Sequence, residues 1–227
     1  MKIESSGILA QSEINSLKAF YTFSSFISLT SGVILAAARR GDSKDSHLEV
    51  VEFFISEDEG ENWSKPWQPF TNINIENTKG SLKLCYFTEI SSSHLLASFL
   101  WIDRFAYPGK ELFNAETEGC LPMKVLLSDS FDQGQTWSNL RAVDIPEEIG
   151  PPSLTNPIMK LPDGRLLMSI ENNKNYLDKS KWNQKAVFLS STDNGKTWSN
   201  PFLAAGDSEG IIFNWDLRSA VDKEGRI

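Results

Sequence analysis

Apolar residues along this chain come in short runs that stop abruptly at polar turns. Val50-Val51-Glu52-Phe53-Phe54-Ile55, Met123-Lys124-Val125-Leu126-Leu127 and Ala186-Val187-Phe188-Leu189 are each followed within a few residues by the same polar segment. That segment reads Ser56-Glu57-Asp58-Glu59-Gly60-Glu61-Asn62-Trp63 in the first copy. It recurs as Ser130-Phe131-Asp132-Gln133-Gly134-Gln135-Thr136-Trp137 and as Ser191-Thr192-Asp193-Asn194-Gly195-Lys196-Thr197-Trp198. Ser and Asp side chains accept hydrogen bonds from nearby backbone N–H groups, and Gly supplies positive φ. Trp then brings a large apolar surface back to the sheet. The pattern predicts a strand, a tight turn and a returning strand, three times over. It also predicts that Trp63, Trp137 and Trp198 are largely buried.

A second mark has the same period. A turn followed by a hydrophobic strand recurs at Thr30-Ser31-Gly32-Val33-Ile34-Leu35, Ser92-Ser93-His94-Leu95-Leu96, Pro162-Asp163-Gly164-Arg165-Leu166-Leu167 and Lys223-Glu224-Gly225-Arg226-Ile227. Gly32, His94, Gly164 and Gly225 are spaced 62, 70 and 61 positions apart, with one Ser-x-Asp segment in each interval. Repeats of this length built from four strands are the blades of a β-propeller. No long amphipathic helix pattern occurs. The expectation is an all-β fold, a single partial propeller over 1–227, with blades at about 20–80, 81–150 and 151–212 and the start of another at 213–227. Propellers close into rings, so this count predicts an N-terminal part of a longer protein, or a chain whose open edge is covered by further blades or by a partner.

Composition narrows the class. The chain has 227 residues, 40% of them hydrophobic, enough for a sizeable core. A net charge of −8 argues against nucleic acid or an anionic membrane as partner. The two cysteines, Cys85 and Cys120, lack metal-ligand spacing, and no metal or cofactor motif appears. The start Met1-Lys2-Ile3-Glu4-Ser5-Ser6 lacks the basic-then-apolar order of a signal peptide, which predicts a cytoplasmic protein. The apolar stretch Phe20 to Leu35 is too interrupted by Thr, Ser and Gly to span a membrane.

The three segments match the Asp-box, or bacterial neuraminidase repeat, and from about Tyr21 onward the chain resembles the sialidase family. That resemblance implies a sialidase-type propeller, six-bladed in full-length members, and a sialidase-like glycoside hydrolase of exo-α-sialidase type acting on a glycan or small sugar. The box residues Ser56, Asp58, Gly60 and Trp63, with Ser130, Asp132, Gly134, Trp137, Ser191, Asp193, Gly195 and Trp198, are then structural, because a turn carboxylate is used up by local backbone bonds.

The loops at the opposite strand ends are the better candidates for chemistry. Ala38-Arg39-Arg40-Gly41-Asp42-Ser43-Lys44-Asp45-Ser46 resembles the sialidase loop that carries an arginine and then the acid/base aspartate. The resemblance assigns Arg40 to substrate and Asp45, or alternatively Asp42, to proton transfer. Arg104, at the end of an apolar strand, suits a forked contact to a carboxylate or sugar hydroxyls. Glu118 follows in a long loop. Glu171 and Lys174 leave another strand with Tyr176 and Trp182 nearby, and Asp216 and Arg218 lie two apart on one face. All of these are expected to gather at one end of the propeller, away from the box turns.

The chain also departs from the family. Thr22 stands where sialidases carry the first arginine of their carboxylate-gripping triad, and the other triad arginines and the Tyr/Glu nucleophile pair come from later blades. A carbohydrate-binding propeller without catalysis and a protein-binding propeller are the alternatives to the hydrolase.

Overall fold

The structure is a computed structural model, and it describes residues 6–13, 15–70 and 73–227. The N-terminal segment Met1–Ser5, on which much of the expectation about a leader peptide rests, lies outside the described residues. No helix among the described residues is long and apolar enough to cross a membrane.

Among the described residues, twelve strands form three antiparallel sheets. The first holds β1 (Phe20–Ser28), β2 (Ile34–Gly41) and β3 (Val50–Ser56) in that spatial order. The second holds β4 (Gly80–Ser91), β5 (His94–Asp103), β6 (Met123–Ser130) and β7 (Arg141–Ala142). The third runs β12 (Phe202–Gly206), β11 (Lys185–Ser191), β10 (Leu166–Asn172) and β8 (Pro152–Leu154), with β9 (Met159–Lys160) also on β10. The all-β reading holds: three successive antiparallel sheets, each an up-and-down meander, are three propeller blades. Residues 213–227 hold a turn at Asp222–Arg226 and no strand.

Two blades depart from the expected four regular strands, and proline accounts for both. In the first, the returning segment makes only the bridge Phe53–Trp67 and a bond from Ser64 N to Ile55 O. Pro66 and Pro69 flank that bridge and lack the N–H that a ladder needs. In the third, the opening strand is split into β8 and β9 around Asn156-Pro157.

The core follows from the strand period of two. β5 is buried along almost its whole length. Leu95, Ala97, Phe99 and Trp101 pack with Leu35, Ala37 and Phe53 of the first sheet. Leu96, Leu100 and Ile102 pack with Leu154, Met168, Ile170 and Leu189 of the third. Both faces of the middle blade are therefore covered by its neighbours. The outer sheets keep exposed apolar side chains, among them Phe20 and Phe26 on β1 and Phe202 and Leu203 on β12.

The three box segments fold into the same turn. The residue before each box glycine and the glycine itself both have positive φ: Glu59 and Gly60, Gln133 and Gly134, Asn194 and Gly195. Two successive positive φ values are what a tight hairpin turn of the right twist demands. The Ser hydroxyl accepts from the glycine N–H at 2.9 Å in every copy, and the Asp accepts from the N–H four residues on. The tryptophans are half-buried rather than largely buried, because each lies over its own surface turn. Trp63 and Trp137 donate to the glycine carbonyl of their turn, and Trp137 meets Phe53 edge-on across the sheet boundary.

The turns also dock one blade on the next. A Cβ at Gly134 would lie 2.6 Å from Leu35 of the preceding blade, and one at Gly195 would lie 3.1 Å from Leu96, which holds the equivalent place. Gly60 would meet only its own blade, Ile34 at 3.7 Å and Trp63 at 3.8 Å. Gly60→Ala should therefore lose about 1–2 kcal/mol for the left-handed backbone alone, and Gly134→Ala should lose more because Leu35 must also move. Urea denaturation of the two variants measures the difference, and equal losses would contradict the docking role.

Candidate functional site

The box turns and the candidate loops sit at opposite ends of the strands. β5 pairs Leu95 with Ser130 at the box end and Ile102 with Met123 at the other. At the box end, hydrogen bonds from the backbone and side chain of Asn62 hold the Asp58 carboxyl below its usual range, and bonds from Thr197 do the same for Asp193. These aspartates have spent their lone pairs on their own turns.

At the other end a buried ion cluster joins the first two blades. Arg39 is fully enclosed; its Nε donates to Glu49 at 2.8 Å and its Nη1 to Thr22 Oγ1 at 3.0 Å and to the Ser43 carbonyl at 2.5 Å. Glu49 also accepts from Arg104 at 2.7 Å and from Ser81 at 2.6 Å. Arg104 Nη2 reaches Asp45 at 2.8 Å, Lys83 stands 3.3 Å from the same oxygen, and the other Asp45 oxygen accepts from Leu112 N at 3.0 Å. Burial works against the Asp45 charge. The Arg104 bond and the nearby Lys83 ammonium outweigh it and hold the carboxyl down at about 2. Burial lowers the Lys83 ammonium, an effect that Glu49 and Asp45 partly offset.

The opposite wall comes from the third blade and the start of the fourth. Glu171, at the end of β10, is almost fully buried. It accepts from Leu217 N at 2.6 Å and faces the Thr155 hydroxyl at 3.3 Å. Burial pushes its carboxyl up; the Leu217 N–H opposes that, and the charge of neighbouring Asp216 adds to it. Between the two walls lies a cavity of about 480 Å³. Asp45, Lys83, Glu171 and Asp216 line it, one from each successive repeat, over a floor that includes Leu84, Leu100, Leu112, Met123 and Leu154. Phe23, Phe113 and Trp215 stand at its edge and remain partly exposed. Phe23 and Asp216 both have positive φ, an uncommon conformation for such residues at the wall of a site.

Of the residues singled out from sequence, Asp45, Glu171 and Asp216 line this cavity, and Arg104 braces Asp45 from behind. Arg218 lies beside it, 3.5 Å from the Tyr86 hydroxyl, which itself bonds the Thr155 carbonyl. Four others go elsewhere. Arg40 is on the opposite face of β2 from Arg39, stacked on Tyr21 and bonded to the Lys18 carbonyl. Lys174 is buried against the Thr117 and Ser180 carbonyls, where it ties two loops together. Glu118 is exposed in a turn closed by its N–H to Asn114 O. Asp42 is exposed too, bonded within its own loop by Ser43.

Sequence reasoning missed Arg39, Glu49, Ser81 and Lys83. A lysine between Leu82 and Leu84 in an apolar strand was the available signal for Lys83. A larger groove of about 680 Å³, lined by residues such as Lys124, Asp144 and Glu147, contains none of the candidate residues.

No family model matches the sequence, and no curated protein matches it. Solved structures do match. The Hadza microbial sialidase Hz136 superposes with a TM-score of 0.61 at 17% identity, over 82% of this chain and 38% of that one. The sialidase-type propeller is therefore the fold of this chain. The intramolecular trans-sialidase from Ruminococcus gnavus, solved with oseltamivir carboxylate, gives 0.59 at 14% identity, over 86% of this chain and 62% of that one. A polysaccharide lyase, the ulvan lyase of family PL25, gives 0.55 at 14%, over 84% of this chain and 45% of that one. The chain thus spans less than two thirds of the length of each, and the fold it shares with them hosts more than one chemistry.

Glu49 is the hub of the ion cluster. Glu49→Gln should cost about 3–5 kcal/mol, because it strands buried guanidinium groups. Chemical denaturation reads this directly; a loss under about 1 kcal/mol, the range of a surface pair, would show that the cluster does not hold the two blades together.

Proposed function

We propose that this cavity is the sugar subsite of a glycoside hydrolase of sialidase type. The observation that carries the proposal is the split between two carboxyls on facing walls: Glu171 pushed up by burial and Asp45 held down at about 2. Carboxyls driven apart by their surroundings take separate acid and base roles. Glu171 carries the proton and delivers it to the departing glycosidic oxygen; water then adds to the anomeric carbon and returns a proton to the Glu171 carboxylate. Asp45 stays ionised and stabilises the positive charge that builds on the sugar ring as the bond breaks. This reverses the assignment made from the loop resemblance, in which Asp45 was the proton donor. A carboxyl held near 2 has no proton to give at neutral pH. Apolar walls and the edge aromatics Phe23, Phe113 and Trp215 support a sugar ligand, whose ring has an apolar face as well as hydroxyls.

The test uses the wild-type protein and Glu171→Gln with a panel of aryl glycosides that includes sialosides, with sugar binding measured in parallel. Turnover should fall about 10²–10⁴-fold in Glu171→Gln while sugar binding persists. The wild-type rate should decline as pH rises through the Glu171 pKa, which lies above the ordinary 4.5. Binding without turnover in the wild type would replace the hydrolase with a sugar-binding propeller. An unsaturated product would place the chemistry with the lyases.

A further inference from the structure

We propose that the cavity selects an uncharged sugar with an apolar edge and rejects acidic ones. This rests on the sugar-subsite proposal above and adds the substrate class. It runs against what a sialidase fold alone would suggest, and its basis is the wiring of the cationic side chains.

Gripping a sugar carboxylate takes a forked donor that is free to point at it. Neither buried arginine lines the cavity. Arg39 is committed to Glu49, Thr22 and the Ser43 carbonyl. Arg104 is committed to Ser81, Asp45, Glu49 and the Ser46 carbonyl. Each keeps one nitrogen without a partner, Arg39 Nη2 and Arg104 Nη1, but both atoms are closed off from the surface. Thr22, beside Arg39, offers a hydroxyl that already accepts from it. Arg218 does not line the cavity; it is exposed beside it, with Nη1 3.5 Å from the Tyr86 hydroxyl.

The cations that do line the cavity are Lys44 and Lys83, against four acids: Asp45, Glu111, Glu171 and Asp216. Lys44 is exposed, so its charge is screened by water. Lys83 already sits 3.3 Å from Asp45 and 3.9 Å from Glu49. A ligand carboxylate brought to Lys83 would also meet Asp45, and low-dielectric walls strengthen that repulsion. Glu111 and Asp216 are exposed as well and are screened like Lys44, so the repulsion comes chiefly from Asp45. The floor gives the complementary preference. Leu84, Leu100, Leu112, Met123 and Leu154 are buried apolar side chains in the cavity wall. They offer burial to a methyl or methylene edge and no hydrogen bond to a carboxylate or hydroxymethyl group, which would lose water without compensation.

The experiment measures binding of methyl glycosides by saturation-transfer NMR and calorimetry at low salt. The glycosides come in matched sets: each hexoside beside its 6-deoxy analogue and its uronate, together with a methyl sialoside. The expected order is 6-deoxy at least as tight as the hexoside, and the uronate and sialoside at least tenfold weaker. Glu111→Gln removes a lining carboxylate that plays no part in the proposed chemistry. It should raise uronate affinity several-fold and leave hexoside affinity unchanged. Tighter binding of uronates or sialosides than of their neutral partners would overturn this inference and leave the sugar-subsite proposal standing. Binding of no sugar in any set would overturn both.

Discussion

The middle blade must bury both faces of its central strand, and much of the structure follows from that demand. β5 sends alternate side chains to the first and third sheets, so neither neighbour can shift without uncovering a row of Leu, Phe or Trp. The box glycines serve the same packing. Gly134 and Gly195 let their turns approach Leu35 and Leu96 of the preceding blade, where an added Cβ would lie 2.6 Å and 3.1 Å away. A chain buried on both faces has few places for charge. Charged groups therefore collect where the strands leave the sheet, and at the end away from the boxes they form a buried cluster.

There each charge is dehydrated and must be compensated locally. On the side of the first two blades, three cations and two carboxylates interlock through Glu49 and Asp45, and Asp45 is left strongly acidic. On the side of the third blade, burial outweighs the Leu217 N–H, the Thr155 hydroxyl and the Arg218 charge, and with the like charge of Asp216 it holds the Glu171 proton more tightly. The difference arises from partners, since both groups are carboxyls at the ends of loops or strands facing one cavity.

Much of this was legible from the sequence. The boxes were, because their bonds run between residues two to four apart, so the pattern carries its own geometry. Asp45, Glu171 and Asp216 were legible as candidates, Asp45 from the loop resemblance and the others from their place at strand exits or entries, and all three line the one cavity. Arg40 was chosen over Arg39 because adjacent strand residues point to opposite faces, and the phase is set by the sheet packed on β2, which the sequence does not display. Lys174 and Glu118 lie in loops whose paths depend on contacts with other loops. The acidity of Asp45 is hidden from the sequence for a similar reason. Its acidity comes from Arg104, 59 positions away, and Lys83, 38 positions away.

The central claim is that the fold drives two carboxyls lining one cavity in opposite directions from their ordinary acidity, Asp45 down and Glu171 up. Site-resolved carbon-13 NMR of the side-chain carboxyls, followed through an acid titration of the wild-type protein, tests it most directly. The account predicts that Asp45 titrates near 2 and Glu171 above 4.5, with the Glu171 midpoint moving down in Asp216→Asn. Midpoints for both residues within the ordinary carboxylate range, unmoved by that substitution, would contradict it.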